Sequence, residues 1–254
     1  MSKDNLGDRI KKYEDCYRTY LPGKLPIILR LDGKAWHTLT KKCEKPFDLK
    51  LISALDETAM YVCNNMQSVH LAYCQSDEIQ FLIYNPKFET SPWYDNNLQK
   101  MVSISAGLAS SYFTSISHKV FGETKIAQFD SRVFIVPLHE VVNTFCWRQQ
   151  DSTRNSIQML ARSMFSHKQC NNKNCVELKD MCLQAGINWE DLPTSQKRGR
   201  CVIKKIMVKE SINKKTGEKI RTSGFDWVID NEIPIFHEDR NYIDKYLKAV
   251  ESEI

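Results

Sequence analysis

Two short stretches of the sequence contain acidic residues that could do chemistry together. Asp77 and Glu78 lie side by side between two apolar runs, in the segment YCQSDEIQF. Asp32 follows another apolar run and precedes Gly33, in the segment RLDGKAWH. An ordinary hairpin turn is satisfied by Asn-Gly or Asp-Gly, so two adjacent carboxylates indicate a further purpose. Carboxylate and carbonyl oxygens are ligands that Mg²⁺ prefers, together with water and substrate phosphates.

These residues predict a nucleotidyl-transfer site. Two ions held by Asp32, Asp77 and the Gly33 carbonyl would clamp the phosphates of a nucleotide and an attacking oxygen. Glycine permits unusual backbone angles, and the N–H groups of the loop after Asp32 could then cradle a triphosphate. The candidate cations that would assist are Lys34, His37, Lys45 and Lys100.

The elements that must position these residues follow from apolar periodicity. Short apolar runs predict strands at residues 25–31, 69–74, 79–84 and 132–137. Helical spacing predicts helices at 48–66, 96–118 and 141–168, with Asp48 as an N-cap. The order strand, helix, strand, strand, helix, strand is that of the ferredoxin-like βαββαβ fold, in the α+β class. It would place the third strand between the first two, so that Asp32 and the Asp77–Glu78 turn share one edge of the sheet.

Length and composition favour one compact domain. The chain has 254 residues, 42% of them hydrophobic, and a net charge of +5. We expect a single domain over 1–254, with the site-bearing core at 25–137 and a helical, basic C-terminal extension at 138–254. There is no apolar run long enough to span a membrane and no secretory signal at the N-terminus. Nine cysteines without such a signal are most simply reduced thiols, which favours a cytoplasmic protein.

Weaker signals occur in the second half of the chain. A basic segment with Lys197, Arg198 and Arg200 is either an RNA-phosphate patch or a solvated surface. Cys170 and Cys175 have a C-x4-C spacing, but no second pair follows at zinc-site spacing. The C-terminal part also predicts a hairpin at 212–220 with a Lys-Thr-Gly turn, followed by a final helix.

Five motifs in order resemble the histidine-tRNA guanylyltransferase family, including its 3′→5′ polymerase-like branch. They are RLDGKAWH, KPFD, QSDE, FDSRVFIVP and WRQQDSTRNSI. The resemblance runs from about residue 8 to the C-terminus and is strongest over 25–157. It implies a polymerase-type palm with two Mg²⁺ ions. It also implies nucleotide addition to the 5′ end of tRNA after activation of that end with ATP or GTP, by a homotetramer.

The resemblance also implies roles for individual residues. Asp32 and Asp77 would be the metal ligands with the Gly33 carbonyl, and Glu78 the adjacent catalytic acid. The implied nucleotide-binding residues are Asp32, Gly33, Lys34, Ala35, Trp36, His37, Lys45, Ser76, Asp77 and Lys100. The candidate RNA contacts are Arg132, Arg148, Asn155, Lys197, Arg198 and Arg200. Arg132 is open to a second interpretation as a structural ion pair, and Trp36 as a residue that shapes the loop or stacks on a base.

One departure from the family pattern bears on the substrate. Members dedicated to histidine tRNA have a His-Ile-Asn-Asn-Leu-Tyr-Asn run, where this chain has Thr153 to Met159 and keeps the first Asn as Asn155. This resembles the branch that repairs 5′-truncated tRNAs with the opposite strand as template. Three alternatives stay open: dedicated guanylate addition to histidine tRNA, a palm-type nucleotide cyclase, and a non-catalytic RNA-binding module with aromatic residues on its strands.

Overall fold

The computed structural model describes residues 5–87, 89–212 and 219–251, which form a six-stranded sheet and helices on both of its faces. The strands are β1 (Ile27–Gly33), β2 (Val69–Gln75), β3 (Glu78–Ile83), β4 (Phe129–Ile135), β5 (Arg200–Ile212) and β6 (Lys219–Asp230). The helices are α1 (Asn5–Asp15), α2 (Trp36–Leu39), α3 (Leu49–Asn65), α4 (Leu98–Ile116), α5 (His118–Phe121), α6 (Val141–Met164), α7 (His167–Cys170), α8 (Cys175–Gln184), α9 (Thr194–Arg198) and α10 (Asn241–Glu251). Within these segments, none of the helices combines the length and apolar composition needed to cross a bilayer.

The sheet is antiparallel at each pairing and has the order β4-β1-β3-β2-β5-β6. Strand β3 therefore lies between β1 and β2, as predicted from the order of elements. In register, Asp32 of β1 lies opposite Glu78 of β3 and opposite Asp130 of β4. This pairing brings the two acidic stretches of the sequence together where β1 ends and β3 begins, and this end of the strands is called the acidic edge of the sheet below.

Both faces of the sheet are covered by apolar side chains. Leu29, Leu31 and Phe81 point to the face that α3 and α4 cover, and Ile28 and Leu82 to the face that α6 and α10 cover. Because both faces are covered, β3 is buried along its whole length, including its polar residues Glu78 and Gln80. The two layers of helices hold the central strands, and with them the acidic edge, in a fixed position.

Side-chain caps determine where the two helices of the first half begin. The Asp48 carboxylate accepts hydrogen bonds from the N–H groups of Lys50 and Leu51, which confirms the predicted cap of α3. The Asn97 side chain accepts from the N–H of Lys100 and caps α4, which begins at Leu98, two residues later than the predicted start at 96.

The structure differs from the predicted elements at several boundaries. Strand β1 includes Asp32 and Gly33, because they continue the pairing with β3 and β4. The long helix predicted at 141–168 ends at Met164, and α7 is separated from it by a break at Phe165. Helix α8 was missed because its Asn174 cap lies in the polar stretch CNNKNC. Strands β5 and β6 pair as the predicted hairpin, while its turn, residues 213–218, lies outside the described residues.

Candidate active site

The two acidic stretches meet through the backbone as well as through strand register. The N–H of Gly33 donates to the carbonyl of Asp77 at 3.2 Å, and Asp32 lies opposite Glu78. The predicted convergence of Asp32 with the Asp77–Glu78 turn is therefore confirmed. Ser76 completes the turn with a positive φ of 45°, and its side chain acts to lower the pKa of the neighbouring Asp77 carboxyl.

The electrostatics of this edge suit a divalent cation. Burial and the nearby negative charge of Asp32 raise the pKa of Asp77 to about 6. The repulsion between two carboxylates held together in this way is reduced by a cation between them. In the described part of the chain, no group of three or more His, Cys, Asp or Glu side chains could hold a metal. Two carboxylates with a backbone carbonyl fit Mg²⁺, which keeps several waters and takes its other ligands from substrate phosphates.

The third acid of the edge is held in an ion pair. The guanidinium of Arg148, on α6, donates to both carboxylate oxygens of Glu78 at 2.7 and 2.6 Å, and also to Asp151 at 3.0 Å. The side chains of Arg148 and Glu78 are 11% and 8% exposed. Glu78 therefore forms an ion pair that ties α6 to β3, and its implied role as a catalytic acid stays a prediction.

Gly33 is required by a close contact rather than by its backbone angle. A Cβ at this position would lie 2.4 Å from the indole ring of Trp36. The left-handed backbone conformation of the loop occurs instead at Ala35, with φ of 56°. The Gly33 and Lys34 N–H groups already donate to Asp77 and Gln128. The phosphate cradle expected from this loop would therefore have to begin at Ala35.

A cavity of about 320 Å³ opens beside Asp77, between the loop after β1, the β2–β3 turn, α6 and α9. Five predicted nucleotide-binding residues contribute to its lining: Trp36, His37, Lys45, Ser76 and Asp77. Two buried polar atoms of lining residues, Nε1 of Trp36 and Oε1 of Gln75, have no hydrogen-bond partner among the described residues. The rest of the cavity lining is mixed, with hydroxyl and amide groups beside apolar side chains. Such a lining suits a ligand with a flat ring and polar edges.

The ring of Trp36 does not stack in this cavity. It is buried and packs against Phe113 and Phe129, with ring centroids 4.9 and 5.1 Å apart. Of the two interpretations of Trp36, the structure therefore favours the one in which it shapes the loop. It does so by filling the space beneath Gly33.

The predicted phosphate-binding lysines are exposed but differ in their placement. Lys45 lies at the cavity, where its Nζ is 3.4 Å from the carbonyl of Thr40. Lys34 contacts the side chain of Gln128 at 3.1 Å. Lys100 lies 5.8 Å from the ring centroid of Tyr94 and does not line the cavity.

Three of the predicted RNA contacts have charged groups that are already paired or hydrogen-bonded within the protein. Arg200 is 2% exposed and pairs with Asp56. Lys197 is 9% exposed and donates to the carbonyl of Glu190. Arg148 is held by Glu78, as described above. Sequence alone cannot distinguish a basic surface from arginines that neutralise buried acids, because both have the same pattern of basic residues.

The other three predicted RNA contacts are accessible. Arg132 is exposed and lies 3.8 Å from Asp32 and 3.5 Å from Asp130, which fits its second interpretation as an ion pair. Arg198 is half-buried, and its carbonyl accepts from the hydroxyl of Tyr73. Asn155 lines the cavity and lies 3.4 Å from Asp151.

Several lining residues were not singled out from the sequence. Gln75, Ser152 and Gln196 line the cavity from three different elements. Gln75 directly precedes the acidic turn, so its position was a signal for its role. Ser152 and Gln196 carry no such signal, because the packing of α6 and α9 against the turn is a tertiary feature.

Comparison with known proteins assigns the site to a family. Residues 7–137 match the family described as tRNAHis guanylyltransferase (Thg1). A bacterial Thg1-like protein in complex with ATP is 41% identical, with a TM-score of 0.84 over 95% of this chain and 98% of that one. A bacterial Thg1-like protein in complex with GTP is 40% identical, with a TM-score of 0.80 over 96% and 99%. The tRNA(His) guanylyltransferase of Schizosaccharomyces pombe is 32% identical over 153 residues, 58% of this chain and 56% of that protein.

These matches define the chain first as an enzyme, a nucleotidyltransferase. More particularly, it belongs to the tRNAHis guanylyltransferase (Thg1) family. The resemblance seen in the five sequence motifs is therefore confirmed. The mixed helical and antiparallel fold matches that of the solved family structures.

Proposed function

We propose that this protein adds nucleotides in the 3′→5′ direction to the 5′ end of tRNA, with the opposite strand as template, and so repairs truncated ends. The observation that carries the proposal is the meeting of Asp32 and Asp77 at a sheet edge beside a cavity of about 320 Å³. The sheet with this edge would be a polymerase-type palm, spanning residues 25–137 of a single compact domain.

The reaction has two phosphoryl-transfer steps. The 5′-monophosphate of the tRNA attacks the α-phosphate of ATP or GTP, and pyrophosphate leaves. The 3′-hydroxyl of the incoming nucleotide then attacks the 5′-phosphate of the activated end, and the nucleoside monophosphate leaves. The solved bacterial relatives with ATP and with GTP support both nucleotides as ligands.

The residues of the edge have distinct tasks in these steps. Asp32, Asp77 and the Gly33 carbonyl would hold two Mg²⁺ ions, which when bound supply charge neutralisation at the phosphates and a lowered hydroxyl pKa. Lys45 would contact a phosphate from the rim of the cavity. The Arg148–Glu78 pair would keep β3, and so the turn with Asp77, in position. Gly33 would keep room for the Trp36 ring beneath the loop.

Repair is favoured over dedicated guanylate addition by the segment that replaces the His-Ile-Asn-Asn run. Asn155, Ser156 and Met159 of this segment line the cavity. The Ser156 hydroxyl is already used, because it lies 2.8 and 3.0 Å from the carbonyls of Thr153 and Lys197 and accepts from Nε1 of Trp189 at 3.1 Å. A residue in this position braces α6 against α9 and leaves base selection to pairing within the RNA.

The first test measures pyrophosphate release from ATP in Mg²⁺. Release should require a tRNA with a 5′-monophosphate and should be absent with a 5′-hydroxyl tRNA. Asp32→Asn and Asp77→Asn should nearly abolish it. The matched control is Asp130→Asn, since Asp130 lies opposite Asp32 but outside the proposed ligand set, and it should retain activity. Release without RNA would indicate a cyclase, and no release would indicate a binding module; either result would overturn the proposal.

A further inference from the structure

An exposed aromatic ring is held in a fixed orientation beside the acidic edge. Trp147, on α6, is 53% exposed. The guanidinium carbon of Arg30 lies 5.5 Å from the centroid of its ring, and that of Arg148 lies 4.6 Å away. Cations at this distance are attracted to the ring face and fix its orientation. The indole is therefore an oriented ring on a residue that is more than half exposed to solvent.

Both arginines connect this ring to the site. Arg30 lies two residues before Asp32 in β1, so their side chains share one face of the sheet, about 7 Å apart along the strand. Arg148 binds Glu78, which lies directly opposite Asp32. Trp147 is therefore linked to the acidic edge through two arginines, one on β1 and one beside it on α6.

Two arginines next to the ring offer hydrogen-bond donors to an anionic partner. Arg30 and Arg132 lie directly opposite each other on β1 and β4. Arg132 also lies 3.8 Å from Asp32 and 3.5 Å from Asp130, so its charge is partly balanced within the sheet. The Nε of Arg30 is buried and makes no hydrogen bond within the described residues, and the side chain of Arg132 is 53% exposed. A phosphate group beside them would accept from both guanidinium groups.

We propose that Trp147 stacks on the terminal base pair of a 5′-phosphorylated RNA helix, while Arg30 and Arg132 contact its phosphates. This rests on the proposed function and adds the surface that receives the RNA. An aromatic platform is suited to this task because every base has a π face, so stacking tolerates any sequence. The residues lining the nucleotide-sized cavity do not include Trp147, which separates this surface from the site of a free nucleotide.

The experiment uses an RNA hairpin with a 5′-phosphate and 2-aminopurine at its first position, in EDTA so that no reaction occurs. A second hairpin carries 2-aminopurine in the middle of its stem. Binding to the wild-type protein should quench the terminal probe and leave the internal probe unchanged. Trp147→Phe should keep the quench. Trp147→Leu, which retains an apolar side chain without a π face, should remove it and weaken binding by roughly 5- to 150-fold.

Four outcomes distinguish the possibilities. Binding of ATP in Mg²⁺ should be equal in wild type and Trp147→Leu, which shows that the variant is folded. Unchanged quenching and affinity in Trp147→Leu would overturn the stacking role while leaving the proposed function intact. If Trp147→Leu loses ATP binding but keeps RNA binding, the stacking role is overturned and Trp147 contacts a free nucleotide instead. If Trp147→Leu changes the oligomer seen in sedimentation, the stacking role is overturned and Trp147 contacts a second copy of the chain. A wild-type protein that neither binds the hairpin nor releases pyrophosphate would refute both proposals.

Discussion

The guanidinium of Arg148 binds both carboxylate oxygens of Glu78, at 2.7 and 2.6 Å, beneath the proposed metal site. This fork joins the middle of α6 to the first residue of β3. It neutralises Glu78, while Asp32 and Asp77 are the proposed cation ligands of the same edge. The adjacent acids of the turn therefore have different tasks, although they are neighbours in the sequence.

Removal of Arg148 should destabilise the protein strongly. Arg148→Met leaves the Glu78 carboxylate buried without its partner, and we expect the free energy of unfolding to fall by about 3–5 kcal/mol. The double variant with Glu78→Gln should lose at least about 1 kcal/mol less than the sum of the single losses, because the two side chains interact directly. Urea denaturation of the four proteins measures this. Additive losses would show that the fork contributes no coupling.

The shifted pKa of Asp77 predicts a pH-dependent cost in the metal-free protein. Its folded pKa is raised from 3.8 to about 6, so ionisation costs stability as pH rises through this range. In EDTA, the free energy of unfolding of Asp77→Asn should exceed that of wild type by up to about 3 kcal/mol at pH 8, and by roughly half of that at pH 5. Mg²⁺ should stabilise wild type and not the variant. Equal stabilities at pH 8 in EDTA would contradict this electrostatic account.

Two glycine substitutions should have opposite effects. Gly33→Ala places a methyl group 2.4 Å from the Trp36 ring, and such overpacking costs about 1–3 kcal/mol. The displaced loop should also weaken ATP binding. Gly107 is its control, since it lies in α4 with nothing within 4 Å of an added Cβ. Gly107→Ala should stabilise by about 0.5–1 kcal/mol. Thermal unfolding measures the stability of both variants, and equilibrium dialysis measures their ATP binding. A Gly33→Ala variant that is as stable as wild type and binds ATP fully would contradict the predicted clash with Trp36.

Substitutions of accessible and of buried arginines should differ in how they change the salt dependence of tRNA binding. Arg132→Ala and Arg198→Ala should each weaken tRNA binding and reduce the slope of log affinity against log salt by about 1. Arg200→Met should instead destabilise the fold and leave the slope unchanged, because its guanidinium pairs with the buried Asp56. Binding at several salt concentrations measures this. A reduced slope for Arg200→Met in folded protein would restore it as an RNA contact.

Much of the site could be predicted from the sequence because its geometry follows from strand order. Placing the third strand between the first two was sufficient to bring Asp32 and Asp77 together. The cap at Asp48 was predicted for a local reason, since it depends on neighbouring N–H groups. Features of this kind depend on periodicity and topology, and both can be inferred from residue types.

The features that escaped prediction depend on contacts between distant elements. The burial of Arg200 depends on Asp56, which lies on α3 and far away in the chain. The pairing of Glu78 with Arg148 depends on how α6 crosses the sheet, and so does the exposure of Trp147. The strand extension through Gly33 depends on pairing with two neighbours. Sequence patterns identify such residues as charged, aromatic or small without indicating their partners.

The central claim is tested most directly by the base that the protein adds. The substrate is a 5′-monophosphorylated tRNA lacking its first nucleotide, supplied with Mg²⁺, ATP and all four nucleoside triphosphates. The base opposite the gap is varied through the four possibilities, and the added nucleotide is identified. We predict that the added nucleotide is the Watson–Crick partner of the opposing base in each case. Addition of guanylate alone, to intact histidine tRNA and irrespective of the opposing base, would contradict template-dependent repair.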